Sequence, residues 1–145
     1  MQKNIVAEPQ LAGQGKQKIE WVKRNMPILR QIEDDFRKHQ YFSGLRVLVC
    51  IHLEAKTAYL AQVFAAGGAE VAVTGSNPHS TKDDVVAALA EEGMHVYARY
   101  GATPEEMRQY MNRALDVRPN IMIDDGGEDR QSVVEGKSVD LGGRR

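Results

Sequence analysis

The stretch from Leu45 to Leu53 follows Gly44 and contains the unbroken apolar run Val47-Leu48-Val49-Cys50-Ile51. An alternation of apolar and polar residues would mark a strand with one wet face. A continuous run marks a strand covered on both faces, which requires layers of structure above and below it. The following segments supply such layers. Ala55 to Ala66 has a helical pattern that stops at Gly67-Gly68, a left-handed cap signal. Glu70 to Thr74 reads as a second strand. Thr81 to Glu92 reads as a helix with Ser80 as its N-cap and Gly93 as its stop. Met94 to Arg99 is a third strand. Thr103 with Glu106 forms a capping-box start for a helix to about Val117. Asn120 to Ile123 is a short fourth strand running into Asp124-Asp125-Gly126-Gly127.

Strands and helices that alternate through short links give parallel strands and right-handed crossovers. The predicted fold is therefore α/β: a partial doubly wound, Rossmann-like parallel sheet of about four strands with flanking helices and an N-terminal helical segment. Residues 1–14 read as a loosely held lead-in without a period, and residues 15–128 as the domain. Between Lys16 and His39 the positions Ile19, Val22, Met26, Leu29, Ile32 and Phe36 form one apolar helical stripe. Pro27 interrupts it, which predicts either a kink or two helices with Pro27 opening the second.

A chain of 145 residues has room for one cored domain. Its net charge of −1 argues against nucleic acid or an anionic membrane surface as a partner. No apolar stretch approaches the ~18 residues of a membrane span, and the N-terminus has no signal-peptide character. Cys50 lies in the apolar run and reads as a buried thiol. The expectation is a soluble cytoplasmic protein, with no metal site indicated.

Ligands of such sheets bind beyond the carboxyl ends of the strands. Three polar loops lie there: His52-Leu53-Glu54-Ala55-Lys56-Thr57, Ser76-Asn77-Pro78-His79-Ser80-Thr81-Lys82-Asp83, and Asp124-Asp125. Singly, each has a structural explanation as a strand-end histidine, a set of turn and capping residues, or an ordinary turn. Jointly they are placed to line one cleft.

The segments Ile19-Glu20-Trp21, Met26-Pro27, Gly44-Leu45-Arg46, His52, Thr57-Ala58, Gly68-Ala69-Glu70-Val71, Asn77, Ser80-Thr81, Asp83 and Asp124-Asp125-Gly126-Gly127 follow one pattern in order and spacing. From Ile5 to Gly127 the chain resembles the N-terminal part of the adenosylhomocysteinase substrate-binding domain. The resemblance implies reversible hydrolysis of S-adenosylhomocysteine to homocysteine and a nucleoside, with tightly bound NAD. In the family, NAD oxidises the ribose 3′-hydroxyl and so acidifies the C4′ proton; thiol elimination, water addition and hydride return follow. It implies His52 as the acid/base group near the sulfur and the entering water, and Asp125 as its carboxylate partner. Those are the group types such proton traffic needs. It further implies Glu54, Lys56, Thr57, Asn77 and Ser80 as substrate-binding residues, a nucleoside thioether as partner, and a homo-oligomeric parent.

One departure bears on the substrate. The commoner family pattern is His-x-Thr-x-Glu; this chain has His52-x-Glu54-x-Lys56, as in the archaeal and Thermotoga-like branch. Adenine presents an acceptor at N1 and donors at its 6-amino group, and hypoxanthine inverts both. Glu54 accepts and Lys56 donates, which suits the inverted edge. A mispaired buried polar group costs ~1–3 kcal/mol, roughly ten- to hundredfold in discrimination. The expectation is that the parent takes S-inosylhomocysteine at least as well as the adenosyl compound. The alternative is that Glu54 and Lys56 pair with each other and backbone holds the base. His79 and Lys82 also depart from the family pattern, with no consequence read from them.

No Gly-x-Gly-x-x-Gly follows a strand here, so NAD is expected mainly on a domain absent from this chain, which alone is expected to be inactive. Residues 129–145 have no apolar period and no counterpart in the resemblance. They read as translated sequencing-adapter read-through or as a natural disordered tail. Gly136-Lys137-Ser138 lacks the spacing and preceding strand of a phosphate loop. Two other function classes stay open: a stand-alone nucleoside-binding or regulatory module, and an interaction fragment whose N-terminal helices meet a partner chain. Loss of the neighbouring segments would also expose a docking face and favour self-association.

Overall fold

The computed structural model describes residues 3–125. The apolar run forms strand β1 (Arg46–Ile51), with β2 (Glu70–Gly75), β3 (His95–Tyr97) and β4 (Ile121–Asp124) completing one sheet. The order is β3-β2-β1-β4 and every pairing is parallel. Successive β1 residues serve opposite faces, as a pleated strand requires. Val47 and Val49 join the cluster containing Ala58, Val63, Val85 and Leu89, from α3 (Ala55–Ala66) and α4 (Asp83–Glu91). Leu48 and Cys50 join Tyr110, Met111, Ala114 and Leu115 of α5 (Pro104–Leu115). Helices therefore cover both faces, and the doubly wound α/β expectation holds.

The helix ends follow local chemistry. Thr103 and Glu106 form the expected capping box at α5, and Gly68, at φ +97°, follows α3 in the left-handed region. Ser80 is not the N-cap of α4. That helix starts at Asp83 with Lys82 in the cap position, and acidic Asp83 and Asp84 occupy its first turn. The hydroxyl of Ser80 is engaged elsewhere, as described below.

The N-terminal region differs from its sequence reading. Ile5 bridges to Tyr97 and donates its amide to Val96 O at 2.9 Å. Asn4 donates to Met94 O and accepts from Val96 N, both at 3.0 Å. These residues, read as loosely held, cover the open edge of β3. A 3-10 turn at Pro9–Leu11 runs into α1 (Ala12–Arg24), which starts four residues before the expected Lys16. Pro27 opens α2 (Pro27–His39), so the interruption gives two helices rather than a kink. Ile19 and Val22 are buried, and Met26, Leu29 and Phe36 lie against the same cluster, but Ile32 is exposed. Leu29, Glu33 and Phe36 form the inward stripe of α2, and Ile28 and Ile32 lie on the next row outward.

That inward stripe carries a buried carboxylate. Glu33 accepts from Tyr59 Oη at 2.6 Å and Arg37 Nη2 at 2.5 Å, with Lys23 Nζ at 3.6 Å, so it joins α1, α2 and α3. Burial, and then the bond to Glu33, push the Tyr59 hydroxyl well above the usual phenol range. A second buried carboxylate, Asp84, joins α1 to α4 through Lys18 Nζ at 2.5 Å and Gln14 Nε2 at 3.0 Å, and accepts from Val85 N at 2.8 Å. Burial pushes this carboxyl up, but those bonds outweigh it and leave it below the ordinary range.

Helix α1 reaches α4 at Gly15, where an added Cβ would lie 1.9 Å from Asp84 O. The obstacle is backbone and does not swing aside. Gly15→Ala is therefore expected to destabilise the fold by about 2 kcal/mol or more, through forced separation of the helices. At Gly13, two residues earlier, nothing lies within 4 Å, so Gly13→Ala should be neutral or stabilising by up to ~1 kcal/mol. Urea denaturation of the two variants measures the contrast.

Candidate functional site

Strand β1 lies where the strand order reverses, with β2 and then β3 on one side and β4 on the other. The crevice at such a point, outside the carboxyl ends, is where open α/β sheets bind ligands. β1 ends at Ile51 and delivers His52 to that edge. The main chain there is fixed. Thr57 Oγ1 donates to His52 O at 2.5 Å, and Lys82 N donates to Leu53 O at 3.0 Å. Leu53 is fully buried and anchors the turn, while the His52 side chain remains about half exposed (55%).

The imidazole meets groups from both neighbouring strand ends. Nδ1 lies 2.7 Å from Ser80 Oγ in the loop after β2. Nε2 lies 3.7 Å from Asp125 Oδ2, just past β4. The structure thus brings His52, Ser80, Asp125 and Thr57 together. Asn77 lies in the same loop as Ser80, but its side chain serves the loop itself: Oδ1 accepts from His79 N at 2.8 Å. Its carbonyl accepts from Ser80 Oγ at 3.2 Å, Thr81 Oγ1 at 3.0 Å and Ser80 N at 3.3 Å. Gly75 begins this loop, where a Cβ would meet Thr81 Oγ1 at 2.7 Å.

Glu54 has a local role. It is the N-cap of α3, and its Oε1 accepts from Lys56 N at 3.1 Å and Thr57 N at 3.3 Å. Lys56 is exposed, and among the described residues no ion pair joins it to Glu54. This first βα turn is also where a dinucleotide fold would hold a pyrophosphate. Here the turn is His52-Leu53-Glu54-Ala55, without glycine, and a carboxylate already occupies the helix amides. The residues present do not fit NAD at this position. Among the described residues no group of three His, Cys, Asp or Glu side chains is placed to hold a metal ion. No described helix is long and apolar enough to cross a membrane.

A brace beyond these loops was not anticipated from sequence. Arg99 donates from Nε at 2.9 Å and Nη2 at 2.5 Å to the two carboxylate oxygens of Glu106. Tyr100 N donates to Asp83 Oδ1 at 2.9 Å, Gly101 N donates to Pro78 O at 3.0 Å, and the Tyr100 and His79 rings meet edge to face. The loop after β3 thereby supports the loop that carries Ser80. Glu106 was legible as a cap, but nothing in the local sequence marks Arg99 as its partner.

The Arg99 guanidinium, followed by the Thr103 amide, lowers the Glu106 carboxyl from its ordinary value near 4.5 to about 2. A depressed carboxyl contributes stability that is present above the unfolded-state value and is lost as pH falls towards the folded one. Glu106→Gln should therefore flatten the acid limb of stability between about pH 4.5 and 2. Because the pair faces solvent, the contribution should shrink with added salt. Thermal melts over that pH range, at low and high salt, measure both effects. At the other loop, Glu54→Ala should cost about 1 kcal/mol as a lost N-cap, and Glu54→Asp should retain most of it. Chemical denaturation checks this apart from any ligand.

The sequence model of the S-adenosyl-L-homocysteine hydrolase family matches residues 3–142, running past the domain end expected at residue 128. The chain is 51% identical over 123 residues to the adenosylhomocysteinase of Pyrococcus abyssi, covering 85% of this chain and 29% of that protein. It is 48% identical over 130 residues to the adenosylhomocysteinase of Thermococcus kodakarensis, covering 90% of this chain and 31% of that protein. It is 50% identical over 113 residues to the S-inosyl-L-homocysteine hydrolase of Methanocaldococcus jannaschii, covering 78% and 27%. The chain spans less than a third of the length of these curated relatives. With a family match over nearly its whole length and 51% identity over 123 aligned residues to such a relative, the chain belongs to the S-adenosyl-L-homocysteine hydrolase family.

Proposed function

We propose that this chain supplies the substrate side of a hydrolase that reversibly cleaves a nucleoside thioether to homocysteine and the free nucleoside. The observation that carries the reading is the convergence of three strand ends on one imidazole, with His52 between Ser80 and Asp125 at the switch point of the sheet. Net cleavage breaks the carbon–sulfur bond, places a proton on sulfur and leaves the oxygen of water, with its other proton, on carbon. His52 is the group that gives a proton to the departing sulfur and regains one from the entering water, whose second proton stays on the new hydroxyl. Asp125 faces its Nε2 at 3.7 Å from the other flank.

The base is the part of the substrate that Glu54 and Lys56 select. Both helix-cap bonds go to Glu54 Oε1, so Oε2 remains available as an acceptor, and Lys56, two residues on, is exposed. An acceptor and a donor in that order match hypoxanthine, which supports S-inosylhomocysteine as a substrate at least equal to the adenosyl compound. Relatives named for each activity are 51% and 50% identical to this chain over the 123 and 113 residues aligned. NAD belongs, on this reading, to the part of the relatives that this chain does not span, so the chain alone is inactive. The protein works in the cytoplasm, as its buried thiol Cys50 suits, and its parent assembles from like subunits.

The test is a chimera in which residues 3–125 replace the aligned segment of the Pyrococcus abyssi protein. Hydrolysis of S-inosylhomocysteine is expected with a kcat/KM equal to or above that for S-adenosylhomocysteine. His52→Asn in the chimera should lower kcat by roughly 10²-fold or more. A folded chimera inactive on both thioethers would overturn the hydrolase reading. A strong adenosyl preference would overturn the inosyl part. Inosine binding by the 145-residue chain together with an inactive chimera would instead identify a nucleoside-binding module.

A further inference from the structure

We propose that Ser80 is the positioning residue of His52, its hydroxyl holding the imidazole whether Nδ1 is bare or bears a proton. The proposal rests on the reading of His52 as the proton carrier and adds the group that keeps it aligned through a cycle. Ser80 Oγ lies 2.7 Å from His52 Nδ1 and 3.2 Å from Asn77 O. A serine hydroxyl has one proton to donate and lone pairs to accept with. When the ring is neutral with its proton on Nε2, facing Asp125, Nδ1 is bare and the hydroxyl donates to it. When Nδ1 carries a proton, that proton is donated to Oγ, and the hydroxyl turns its own towards Asn77 O.

The heavy atoms keep their places in both settings. Asn77 O loses nothing essential when the hydroxyl turns away, because Thr81 Oγ1 and Ser80 N still donate to it. A carbonyl at this position would serve only a protonated Nδ1, and a carboxylate would hold the ring as a cation. A hydroxyl suits both, as a group that must give and take a proton requires. The surrounding charges leave this work to Ser80. Asp125 faces Nε2, Glu54 is turned to the amides of α3, and Asp83 accepts from Tyr100 N. Lys82, exposed in the same loop, contributes its backbone amide to Leu53 O.

The experiment is ring-nitrogen NMR of the 145-residue chain at acid and alkaline pH, with His95, which pairs with Glu70, as the internal reference for folding. Ser80→Ala is expected to displace the His52 Nδ1 resonance at both ends of the titration. Ser80→Thr, which keeps an Oγ, should restore both positions, and His95 should not move. Should Ala disturb the loop enough to shift His95, Ser80→Cys keeps the shape with a weak hydrogen-bonding group and should give the same double displacement. Displacement at one end only, or at neither, overturns the proposal. In the chimera, Ser80→Ala should lower kcat about tenfold, a part of the ~10²–10⁴ that acid–base catalysis contributes, and leave KM within about twofold. A raised KM with unchanged kcat would make Ser80 a substrate contact and overturn the positioning role. A chimera inactive before the substitution defeats the hydrolase reading, and the NMR result then decides this one.

Discussion

Strand β1 exchanges hydrogen bonds with a strand on each side, and the placement of the site depends on that double register. Ile51 of β1 is level with Gly75 of β2, so the loop carrying Ser80 leaves the sheet beside the point where His52 begins. Cys50 is level with Asp124 of β4, so Asp125 leaves one residue later on the other flank. A slip of one residue in either pairing would turn every side chain of the slipped strand to the opposite face. It would also carry Ser80 or Asp125 about 3.3 Å along the sheet, beyond reach of the ring. The apolar run prevents this, because Val47 and Val49 fit one layer and Leu48 and Cys50 the other. Burial on two faces thus acts at a distance on the geometry of the candidate site.

Hydrophobic burial has no direction of its own, and the N-terminal helices obtain theirs from buried charge. Glu33 and Asp84 are each nearly inaccessible, and each carries enough donors to offset its removal from water. Losing a partner from such a buried group typically costs ~3–5 kcal/mol, so any helix placement that breaks these bonds is strongly disfavoured. Gly15 adds the steric half of the constraint, admitting α1 against the backbone of Asp84 where a methyl group would hold it off. Two carboxylates and one glycine therefore set the angle at which α1 and α2 cover the α3–α4 face.

The sheet was legible because its signals are local. The apolar run, the glycine stops and the Thr103–Glu106 box each act within a few residues, and the elements they predict form. What was missed depends on contacts between segments far apart in sequence. Asn4 and Ile5 look unstructured until β3 offers them an edge 90 residues away, and Ile32 satisfies a helical period that packing against α3 rotates away from the core. Ser80 has the chemistry of a cap and sits just before a helix, yet the helix begins at Asp83 and the Ser80 hydroxyl lies between His52 and Asn77. The pairing of His52 with Asp125 was expected only through the family resemblance. Spacing alone does not reveal that residues 73 positions apart meet, since strand order is settled by tertiary packing.

The strength of the contacts on His52 fits the nucleoside proposed for this edge. A 3.7 Å contact with a carboxylate open to water contributes at most about 1 kcal/mol, and a net hydrogen bond about the same. Together they align an exposed ring but do not lock it. A ligand seated over the ring would exclude water, lower the local dielectric and strengthen both contacts, as the proposed proton transfer requires. The charge of that ligand is constrained as well. Glu54 occupies the amides of α3 where a phosphate would otherwise bind, and Asp125 adds a second carboxylate to the same edge. A nucleotide would meet repulsion from both. An uncharged nucleoside meets acceptors and donors only, and the nucleoside half of the proposed substrate is of that kind.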